Sequence, residues 1–592
     1  MIQLIFYDFE VFKFNWLIKA IDPFKEKIYT IWDDKESLEN LYQEYQSDIW
    51  VGCNNQHYDQ YIKKGILCGF DPKKVNDHII VKEKAGWQFS SLFKKFPSIE
   101  YDVMTRLDRG LKNWEGMMGN NIKETSVSFN IDRPLTEQEK RETEEYCQHD
   151  VEQTIEVFIQ KKNEFDAQMG LIQMFPEVLD ITDIGRTKAQ ISAKILECEK
   201  VERNDEFDLS VLPCIQLKKY KQAAEWFMNF SGSPKSKADE IYKESLKMII
   251  AGIEHKLAWG GIHAGKEKYH NSGKKQGRQI WHVDVASFYP RLMIWHNLLT
   301  RNCKKPEKFK MIYDTRIKLK HAEKKKEQAP LKIVINGTYG ISKAPTSLAY
   351  DPRNANLICM NGQLMLIDLI EHLEVIEGFE LIQSNTDGLI VSLPDTDEAF
   401  YQMDDICAEW EARCDMELEF DEIEEIYQKD VNNYVFRFSN GKLERKGAYV
   451  KELNPLDYDL PIVNKALVDY MMNNVPVEKT IMECTDLKEF QMVKKASSKY
   501  SGMYHGTYEF CDNEFLVPLN EKCIRIFASR SNMDGGIYKQ HAKTGNYAKV
   551  ENTPEQAFIY NDEVNGLKCP RKLDKQWYIN LANKRLGDFG CL

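Results

Sequence analysis

The segment HVDVASFYP, residues 282–290, places Asp284 near the end of an apolar strand that we expect to stop at Pro290. Later in the chain, FELIQSNTDGLIVSL predicts a β-hairpin with residues 385–388 at its turn, so that Asp387 lies at the tip. If strand and hairpin are neighbours in one sheet, the two carboxylates can share a pair of ions about 3.5–4 Å apart. Each segment alone also fits an ordinary strand exit or a favourable turn.

Residues 306–343, between these two segments, predict a pair of helices joined by a charged tip. Pro330 is suited to opening the second helix, which contains LKIVINGTYG. Lys332, Asn336 and Tyr339 then share one face, because they fall at i, i+4 and i+7. Farther on, Asn440-Gly441 predicts the turn of a second hairpin.

The first of these helices carries Arg316 and Lys320 on one face. If the pair is antiparallel and turns at Lys326, Lys320 lies level with Lys332, and Arg316 lies level with Asn336. These side chains then form a cationic cleft suited to a triphosphate. A solvated helical hairpin with scattered lysines fits this segment about equally well.

A second group of carboxylates begins on the N-terminal strand, QLIFYDFEVF, where Asp8 and Glu10 point to the same face. Two such side chains repel each other and lose hydration unless a cation compensates them. Asp59 follows in GCNNQHYDQY and Asp150 in YCQHDVEQT, with Tyr146 one helical turn before Asp150. Each piece alone is weak evidence, but the ordered set is much more specific.

This ordered set resembles the proofreading exonucleases of the DEDD class, tyrosine subtype, with their motifs DxE, Nx₄₋₅(F/Y)D and YxxxD. Either Asn54 or Asn55 can be the family asparagine, and Asn54 fits the commoner spacing. Glu145 stands where the histidine subtype has its histidine. The resemblance implies two-metal hydrolysis, with Tyr146 orienting the attacking water. The implied metal ligands are Asp8, Glu10, Asp59 and Asp150.

The segments DVASFYP, KIVINGTYG and SNTDG, in that order, resemble motifs A (DxxSLYP), B (Kx₃NSxYG) and C (DTDS) of the family B DNA polymerases. The resemblance implies that Asp284 and Asp387 bind metal and that Tyr289 rejects a ribose 2′-OH. It implies two Mg²⁺ or Mn²⁺ ions per active site, with deoxynucleoside triphosphates and primer-template DNA as substrates. The residues that contact the nucleotide are then Arg316, Lys320, Lys332, Asn336, Tyr289, Tyr339 and Gly340.

The sequence departs from these motifs at several positions. Asn385 replaces the first aspartate of motif C, while Gly388 and Gly337 replace serines of motifs C and B. Because Asp387 retains the position that the family uses as the direct ligand, we expect polymerase activity to survive. The remaining DNA contacts that the resemblance implies are Asn54, Asn55, Gly260, Gly261, Lys446 and Tyr449.

Two of these DNA-contact motifs are also altered. AWGGIHAG retains Gly260 and Gly261 of the YxGG motif but has Ala258 in place of its tyrosine. The segment KGAY, which contains Lys446 and Tyr449, resembles the KxY primer-binding motif with one additional residue.

The fold class that follows is an α/β multidomain protein, in which an RNase H-like exonuclease precedes a right-hand polymerase of palm, fingers and thumb. A chain of 592 residues is too long for one hydrophobic core. We expect an exonuclease domain at 1–165, a helical connector at 166–245, the palm at 246–302 and 346–455, the fingers at 303–345, and the thumb and C-terminal region at 456–592.

Net charge, cysteine content and the N-terminal sequence indicate how the protein contacts DNA and in which compartment it acts. The net charge is −12, so contact with DNA needs local basic faces, such as residues 304–326, 494–499 and 569–575. Fourteen scattered cysteines without a C-x-x-C pair argue against a zinc knuckle or a disulfide framework and suit a reducing cytosol. The start MIQLIFYDFE lacks the basic n-region of a signal peptide, and no apolar run is long enough to span a bilayer.

We therefore expect a cytoplasmic monomer of phage or mobile-element type, acting in the host cell cytoplasm with phage helicase, primase and single-strand binding protein. We favour extension of a nucleic-acid primer, because the interval from Asp284 to Lys332 is short and protein-primed polymerases have a long insertion there. The alternatives are a protein-primed polymerase, an exonuclease with a degenerate polymerase half, which Asn385 supports, and an inactive DNA-binding scaffold.

Overall fold

A five-stranded sheet organises the N-terminal part of the chain in the computed structural model, which describes residues 3–104, 109–507 and 516–591. Its strands are β1 (Leu4–Val11), β2 (Trp16–Asp22), β3 (Lys27–Trp32), β4 (Ile49–Gly52) and β5 (Ile99–Asp102). They lie in the order β3-β2-β1-β4-β5, with β1 antiparallel to β2 and parallel to β4. The apolar run that starts the sequence is therefore the central strand.

The α-helices that accompany this sheet in the described residues are α1 (Lys35–Glu44), α2 (Asp59–Leu67), α3 (Pro72–Asn76), α4 (Leu111–Met118) and α5 (Glu137–Gln160). Helix α5 begins with a capping box, in which Thr136 Oγ accepts from the N–H of Glu139 at 3.2 Å and the Thr136 N–H donates to Glu139 Oε2 at 2.8 Å. Tyr146 and Asp150 both lie on α5, so their predicted separation of one helical turn is confirmed. Its buried side, which includes Val151 and Val157, packs against β1.

The segment that follows contains short helices separated by irregular stretches, the longest at residues 197–220, so the helical connector predicted for residues 166–245 is confirmed only in part. The short helices are α6 (Lys162–Met174), α7 (Lys188–Ile195), α8 (Lys221–Met228) and α9 (Ala238–Ile241). Helices α6 and α7 both pack against the longer helix α12 (Lys325–Lys343).

An eight-stranded sheet forms the centre of the molecule. Its strands are β8 (Ala264–Gly265), β9 (Tyr269–Asn271), β10 (Arg278–Val285), β11 (Glu380–Ser384), β12 (Gly388–Pro394), β13 (Leu418–Asp430), β14 (Asn433–Phe438) and β15 (Leu443–Lys446). The main order is β15-β14-β13-β10-β12-β11-β8, with β9 on β13, and a separate hairpin, β6 (Leu246–Ile250) and β7 (Ile253–Leu257), precedes it. Both predicted hairpins are confirmed, as β11-β12 and β14-β15.

The other helices of this part are α10 (Phe288–Trp295), α11 (Pro306–His321), α13 (Pro352–Leu373) and α14 (Asp397–Cys414). The prediction that strand β10 continues to Pro290 is wrong. Ser287 adopts a left-handed conformation, with φ 54°, and starts α10 there. Pro290 lies in the first turn of α10, where a missing N–H costs no helical hydrogen bond.

The helix pair and its charged tip are confirmed as α11 and α12, but Pro330 does not open the second helix. Helix α12 begins at Lys325, and Pro330 lies inside it. Packing explains this position, because a Cβ added to Gly170 of α6 would lie only 2.7 Å from Pro330 Cγ. The turn is centred on Glu323 instead of Lys326, so the predicted level pairings of Lys320 with Lys332 and of Arg316 with Asn336 are both wrong.

The C-terminal region, residues 461–507 and 516–591, has its own hydrophobic core. Its elements are α15 (Pro461–Asn473), α16 (Val477–Glu483), β16 (Met492–Lys495), β17 (Tyr500–Gly506), β18 (Leu516–Pro518), β19 (Cys523–Ala528), β20 (Gly536–His541), β21 (Tyr547–Lys549), β22 (Ala557–Ile559) and α17 (Lys575–Phe589). Within the described residues, no helix has the length and apolar character needed to cross a membrane.

Candidate active sites

The first site, which we call the N-terminal acid cluster, consists of Asp8, Glu10, Asp59 and Asp150. Strand β1 carries the first two on one face, α2 begins with Asp59, and α5 carries Asp150. The Phe9 N–H donates to Asp59 Oδ1 at 3.3 Å, which ties the start of α2 to β1. Cys147 Sγ lies 3.7 Å from Asp8 Oδ2. The structure thus brings together the four acids that the sequence singled out.

Burial and mutual repulsion dominate the electrostatics of this cluster. Burial raises the pKa of Asp8 to about 7, and the charge of Asp150 adds to the shift. Burial likewise raises the pKa of Glu10 and of Asp59, and repulsion from Asp8 raises both further. Carboxylates are held in this arrangement at a cost unless cations compensate them. An all-oxygen set of donors suits Mg²⁺ or Mn²⁺.

Lys112 is a member of this site for which the sequence has no signal. Its ammonium donates to Asp150 and, at 3.1 Å, to Glu115. It also lies 4.7 Å from the ring centre of Tyr146. Burial lowers the pKa of Lys112, and attraction to the two carboxylates raises it overall. Lys112 is separated in sequence from every motif, and only the packing of α4 brings it to the cluster.

The structure separates the roles of the two candidate asparagines. Asn55 is fully buried, and its amide donates to Glu100 Oε2 at 2.9 Å, beside the ion pair of Glu100 with Lys63 at 2.8 Å. Asn54 is half-buried, adopts a left-handed conformation with φ 68°, and donates its N–H to Asp102 Oδ1 at 2.8 Å. Asn54 is therefore the more accessible of the two, whereas Asn55 belongs to a buried network.

The second site lies at the end of β10, in the middle of the eight-stranded sheet. Asp284 pairs with Gly388 of β12 on one side and with Glu419 of β13 on the other. The Val285 N–H donates to the carbonyl of Asp387 at 2.7 Å, which fixes Asp387 beside Asp284. Burial raises the pKa of Asp284 to about 7, with further contributions from Asp387 and Glu419. Glu419 is a third acid that sequence reasoning missed, because only strand register places it here.

Close packing explains two of the glycines near this site. A Cβ on Gly388 would lie 2.8 Å from Asp284 Oδ1, so this position leaves no room for the serine of the related motif. A Cβ on Gly261 would lie 2.2 Å from Thr386 Oγ, so Gly261 lets its segment approach the hairpin turn. The carbonyl of Gly260 accepts from Gln363 Nε2 at 2.8 Å. Gly388 and Gly261 thus allow close packing around the turn that carries Asp387.

The hairpin turn also accounts for Asn385. Its side chain accepts a hydrogen bond from the Thr386 N–H at 3.0 Å, and its own N–H donates to the Gly388 carbonyl at 2.8 Å. Thr386 Oγ lies 3.1 Å from His263 Nε2. Asn385 therefore stabilises the turn without adding a negative charge next to Asp387.

The helix pair α11–α12 lies over the second site. Arg316 donates to Ser287 Oγ at 3.3 Å, and its buried Nε has no partner among the described residues. Lys320 forms an ion pair with Glu419 at 2.7 Å. Lys332 and Asn336 are exposed on α12, and Gly340 follows them at the surface. The cationic face thus borders the acidic strand ends.

Tyr289 lies in the first turn of α10 and not on the strand as predicted. Its ring packs edge-on against Tyr339 of α12, with ring centres 4.7 Å apart. Gly362 of α13 approaches the same ring, since an added Cβ would lie 3.2 Å from Tyr289 Cε1. Three helices therefore hold this ring in place beside the second site.

Lys446 and Tyr449 follow the last strand of the sheet. Lys446 ends β15, and Tyr449 packs under the Arg585 guanidinium, which lies 4.4 Å from its ring centre. Gly447 between them has φ 96°, and a Cβ there would lie 2.3 Å from Asn433 Oδ1. The additional residue of KGAY is thus accommodated in a turn that requires glycine.

A cavity of about 1110 Å³ is lined by Asp102 and by four residues of the segment 451–457, but by none of the four acids of the N-terminal acid cluster. Arg109 also lines the cavity and forms an ion pair with Asp457 at 2.8 Å. Basic side chains in its wall include Lys161, Arg186 and Lys451. Residues of the N-terminal part and of the segment that follows Tyr449 thus line one cavity.

No family model matches this chain, and no curated protein matches it. Among solved structures, the chain is similar to the family B DNA polymerase of the hyperthermophilic archaeon Pyrobaculum calidifontis, with 12% sequence identity and a TM-score of 0.41. The similarity covers 98% of this chain and 76% of that one. The side chains of the two acidic sites, and not this distant similarity, carry the assignment that follows.

Proposed function

We propose that this chain is a template-directed DNA polymerase with an intrinsic 3′→5′ proofreading exonuclease. One observation carries the proposal: a single chain holds two separate carboxylate sites on two different sheets. One is the N-terminal acid cluster with Tyr146, and the other is formed by Asp284 and Asp387 beside a cationic helix pair. A nuclease alone would need only the first of them. The direct test is to supply a primer-template with Mg²⁺, with and without nucleotides, and to follow primer length.

In the N-terminal site, Asp8, Glu10, Asp59 and Asp150 would hold two divalent ions. When bound, such ions lower the pKa of the attacking water and stabilise the leaving 3′ oxygen. Tyr146 would orient the water, and Lys112 would keep Asp150 ionised and in place. This arrangement suits hydrolysis of the terminal phosphodiester of a DNA strand.

In the second site, Asp284 and Asp387 would hold the ions used for nucleotide addition. Arg316, Lys320 and Lys332 would bind the triphosphate of the incoming nucleotide, since each lies on the helices that cover these strand ends. Asn336, Tyr339 and Gly340 would line the nascent base pair. Lys446, Tyr449, Gly260 and Gly261 would contact the DNA.

The two sheets support a division into functional domains. We assign residues 1–165 to the exonuclease, whose sheet order suits an RNase H-like fold, and 166–245 to a connector. The eight-stranded sheet would be the palm and α11–α12 the fingers. Residues 456–592 would include the thumb.

Sugar selection is predicted to depend on the Tyr289 ring. Replacing Tyr289 with Val removes a ring that three helices hold beside Asp284, so a 2′-OH should then fit. We expect ribonucleotide incorporation, relative to deoxyribonucleotide, to rise about 100-fold in a competition assay. Tyr289→Phe keeps the ring and should leave the ratio unchanged. A ratio that does not move in the valine variant would rule out this role.

Initiation is predicted to require the 3′-OH of a nucleic-acid primer. The interval from Asp284 to Lys332 is filled by α10, α11 and the start of α12, which leaves no subdomain to hold a protein primer. Helix α13 and strand β11 fill the next interval, so we also expect only modest strand displacement. An annealed oligonucleotide should be extended efficiently. Metal-dependent attachment of a nucleotide to a protein from the neighbouring genes, on unprimed linear template, would contradict this prediction.

A further inference from the structure

Helix α4 lies between the N-terminal acid cluster and the C-terminal region. Its second residue, Lys112, donates to Asp150 of the cluster and to Glu115 one turn later. The same ammonium lies against the ring of Tyr146. The position of α4 therefore determines where the Lys112 ammonium contacts Asp150 and Tyr146, two residues to which we assign hydrolysis.

The opposite side of α4 packs tightly on two strands of the C-terminal region. A Cβ on Gly116 would lie 2.8 Å from Val493 Cγ1, so the helix and β16 are in close contact. Cys523 of β19 directs its Sγ toward the carbonyl of Lys112, at 3.4 Å. Met117 packs in one buried cluster with Val493 and Cys523. The C-terminal region thus contacts α4 at Lys112, the residue that donates to the N-terminal acid cluster.

Side chains of the C-terminal region also bind the carbonyls at the end of α4. The last carbonyls of a helix lack intrahelical donors, and cations near that end are favoured by the helix dipole. The donors and their acceptors are Arg525 with the carbonyls of Gly116 at 3.0 Å and Asn120 at 2.7 Å, Gln491 with Met117 at 2.9 Å, and Lys488 with Met118 at 2.7 Å. Helix α4 is therefore capped by a remote part of the chain.

Of these donors, Arg525 has the side chain whose burial depends most on hydrogen-bond partners. Its side chain is 0% exposed, and it has no ion pair within residues 3–104, 109–507 and 516–591. Its guanidinium donates to carbonyls on both sides, including that of Asp562 at 2.7 Å. A buried charge is costly unless hydrogen bonds compensate it, and here the end of α4 provides half of that compensation. The contact therefore holds α4 firmly in one position.

We propose that Arg525 is a positioning residue for the exonuclease: by fixing α4 it sets Lys112 against Asp150 and Tyr146. This inference rests on the proposed exonuclease activity. Arg525 itself touches none of the acids, so its effect passes through the helix. A displacement of the C-terminal region relative to α4 would then be transmitted directly to the hydrolytic site.

The test compares Arg525→Met with the wild-type full-length chain on single-stranded DNA and on a primer-template. Loss of the cap should shift Lys112 and lower the exonuclease kcat about tenfold to a hundredfold, with KM and nucleotide addition unchanged. Arg525→Lys should recover part of kcat, because an ammonium can donate to the same carbonyls. A methionine variant with wild-type kcat would overturn the inference.

Arg437→Met is the matched control, because the Arg437 guanidinium also caps a helix end, at Met472 and Asn473, but away from α4. It should keep the exonuclease kcat, and an equal loss there would overturn the specific role of Arg525.

If thermal unfolding shows that Arg525→Met is unfolded, Lys488→Ala releases the Met118 carbonyl more gently. It should lower kcat several-fold, and an unchanged kcat would again overturn the inference. No degradation by the wild-type chain would instead overturn the exonuclease proposal itself.

Discussion

Replacing Asp387 with Asn is expected to lower the rate of nucleotide addition about 1000-fold or more while leaving 3′→5′ degradation intact. The substitution removes the carboxylate of Asp387, whose backbone carbonyl accepts from the Val285 N–H next to Asp284, and it hardly changes the volume of the side chain. The N-terminal acid cluster lies on a different sheet and loses nothing. Primer extension and single-strand digestion, measured on the same preparation, separate the two activities.

Asp395→Asn is a suitable control for this variant. Asp395 follows the other end of β12 and is exposed, so the same change there should leave nucleotide addition at the wild-type rate. A primer extended by Asp387→Asn at the wild-type rate would contradict the assignment of the second site. It would also revive the interpretation in which Asn385 marks a degenerate polymerase half.

The double variant Asp8→Ala with Glu10→Ala is expected to lose 3′→5′ degradation, again by about 1000-fold or more, with polymerisation retained. Both side chains belong to the N-terminal acid cluster, and neither lies near Asp284. Degradation of single-stranded DNA is the measurement. Glu137→Ala, an exposed change in the first turn of α5, is the control and should have no effect. Unchanged degradation by the double variant would contradict the assignment of the N-terminal site.

The same double variant should be more stable than the wild-type chain when metal is removed. Because burial raises the pKa of Asp8 to about 7, the folded state binds a proton more tightly than the unfolded state. The free energy of unfolding therefore falls as pH rises from about 4 to 7, and it stays at this lower value at pH 8. Removing the carboxylates abolishes this decrease. The thermal unfolding temperature in EDTA at pH 8 should rise in the variant.

Local patterns were sufficient to predict the elements that carry most of the acids. Alternation on β1 predicted that Asp8 and Glu10 share a face, and the turn residues at 385–388 predicted the hairpin that carries Asp387. The spacing of Tyr146 and Asp150 predicted that they lie one helical turn apart, as they do on α5. These features depend on residues that are close in sequence, so sequence alone reveals them.

The errors and omissions all involve tertiary packing. Pro290 predicted the end of a strand, and Pro330 predicted the start of a helix. In the structure, the left-handed conformation of Ser287 ends the strand earlier, and Pro330 lies inside α12, where it packs against Gly170. Lys112 and Glu419 reach their sites through the docking of α4 and the register of β13. Contacts between residues so far apart in sequence leave no periodic signal that a single sequence could reveal.

Extension from a mismatched primer end tests the central claim most directly, because it needs both sites in one molecule. The wild-type chain, given a 3′-mismatched primer-template, Mg²⁺ and all four deoxynucleotides, should remove the mismatch and produce full-length product with the template sequence. Asp8→Ala with Glu10→Ala should extend a matched primer normally but stall on the mismatch or retain it in the product. If wild-type product retains the mismatch as often as the variant's, or if neither protein extends a matched primer, the account is contradicted.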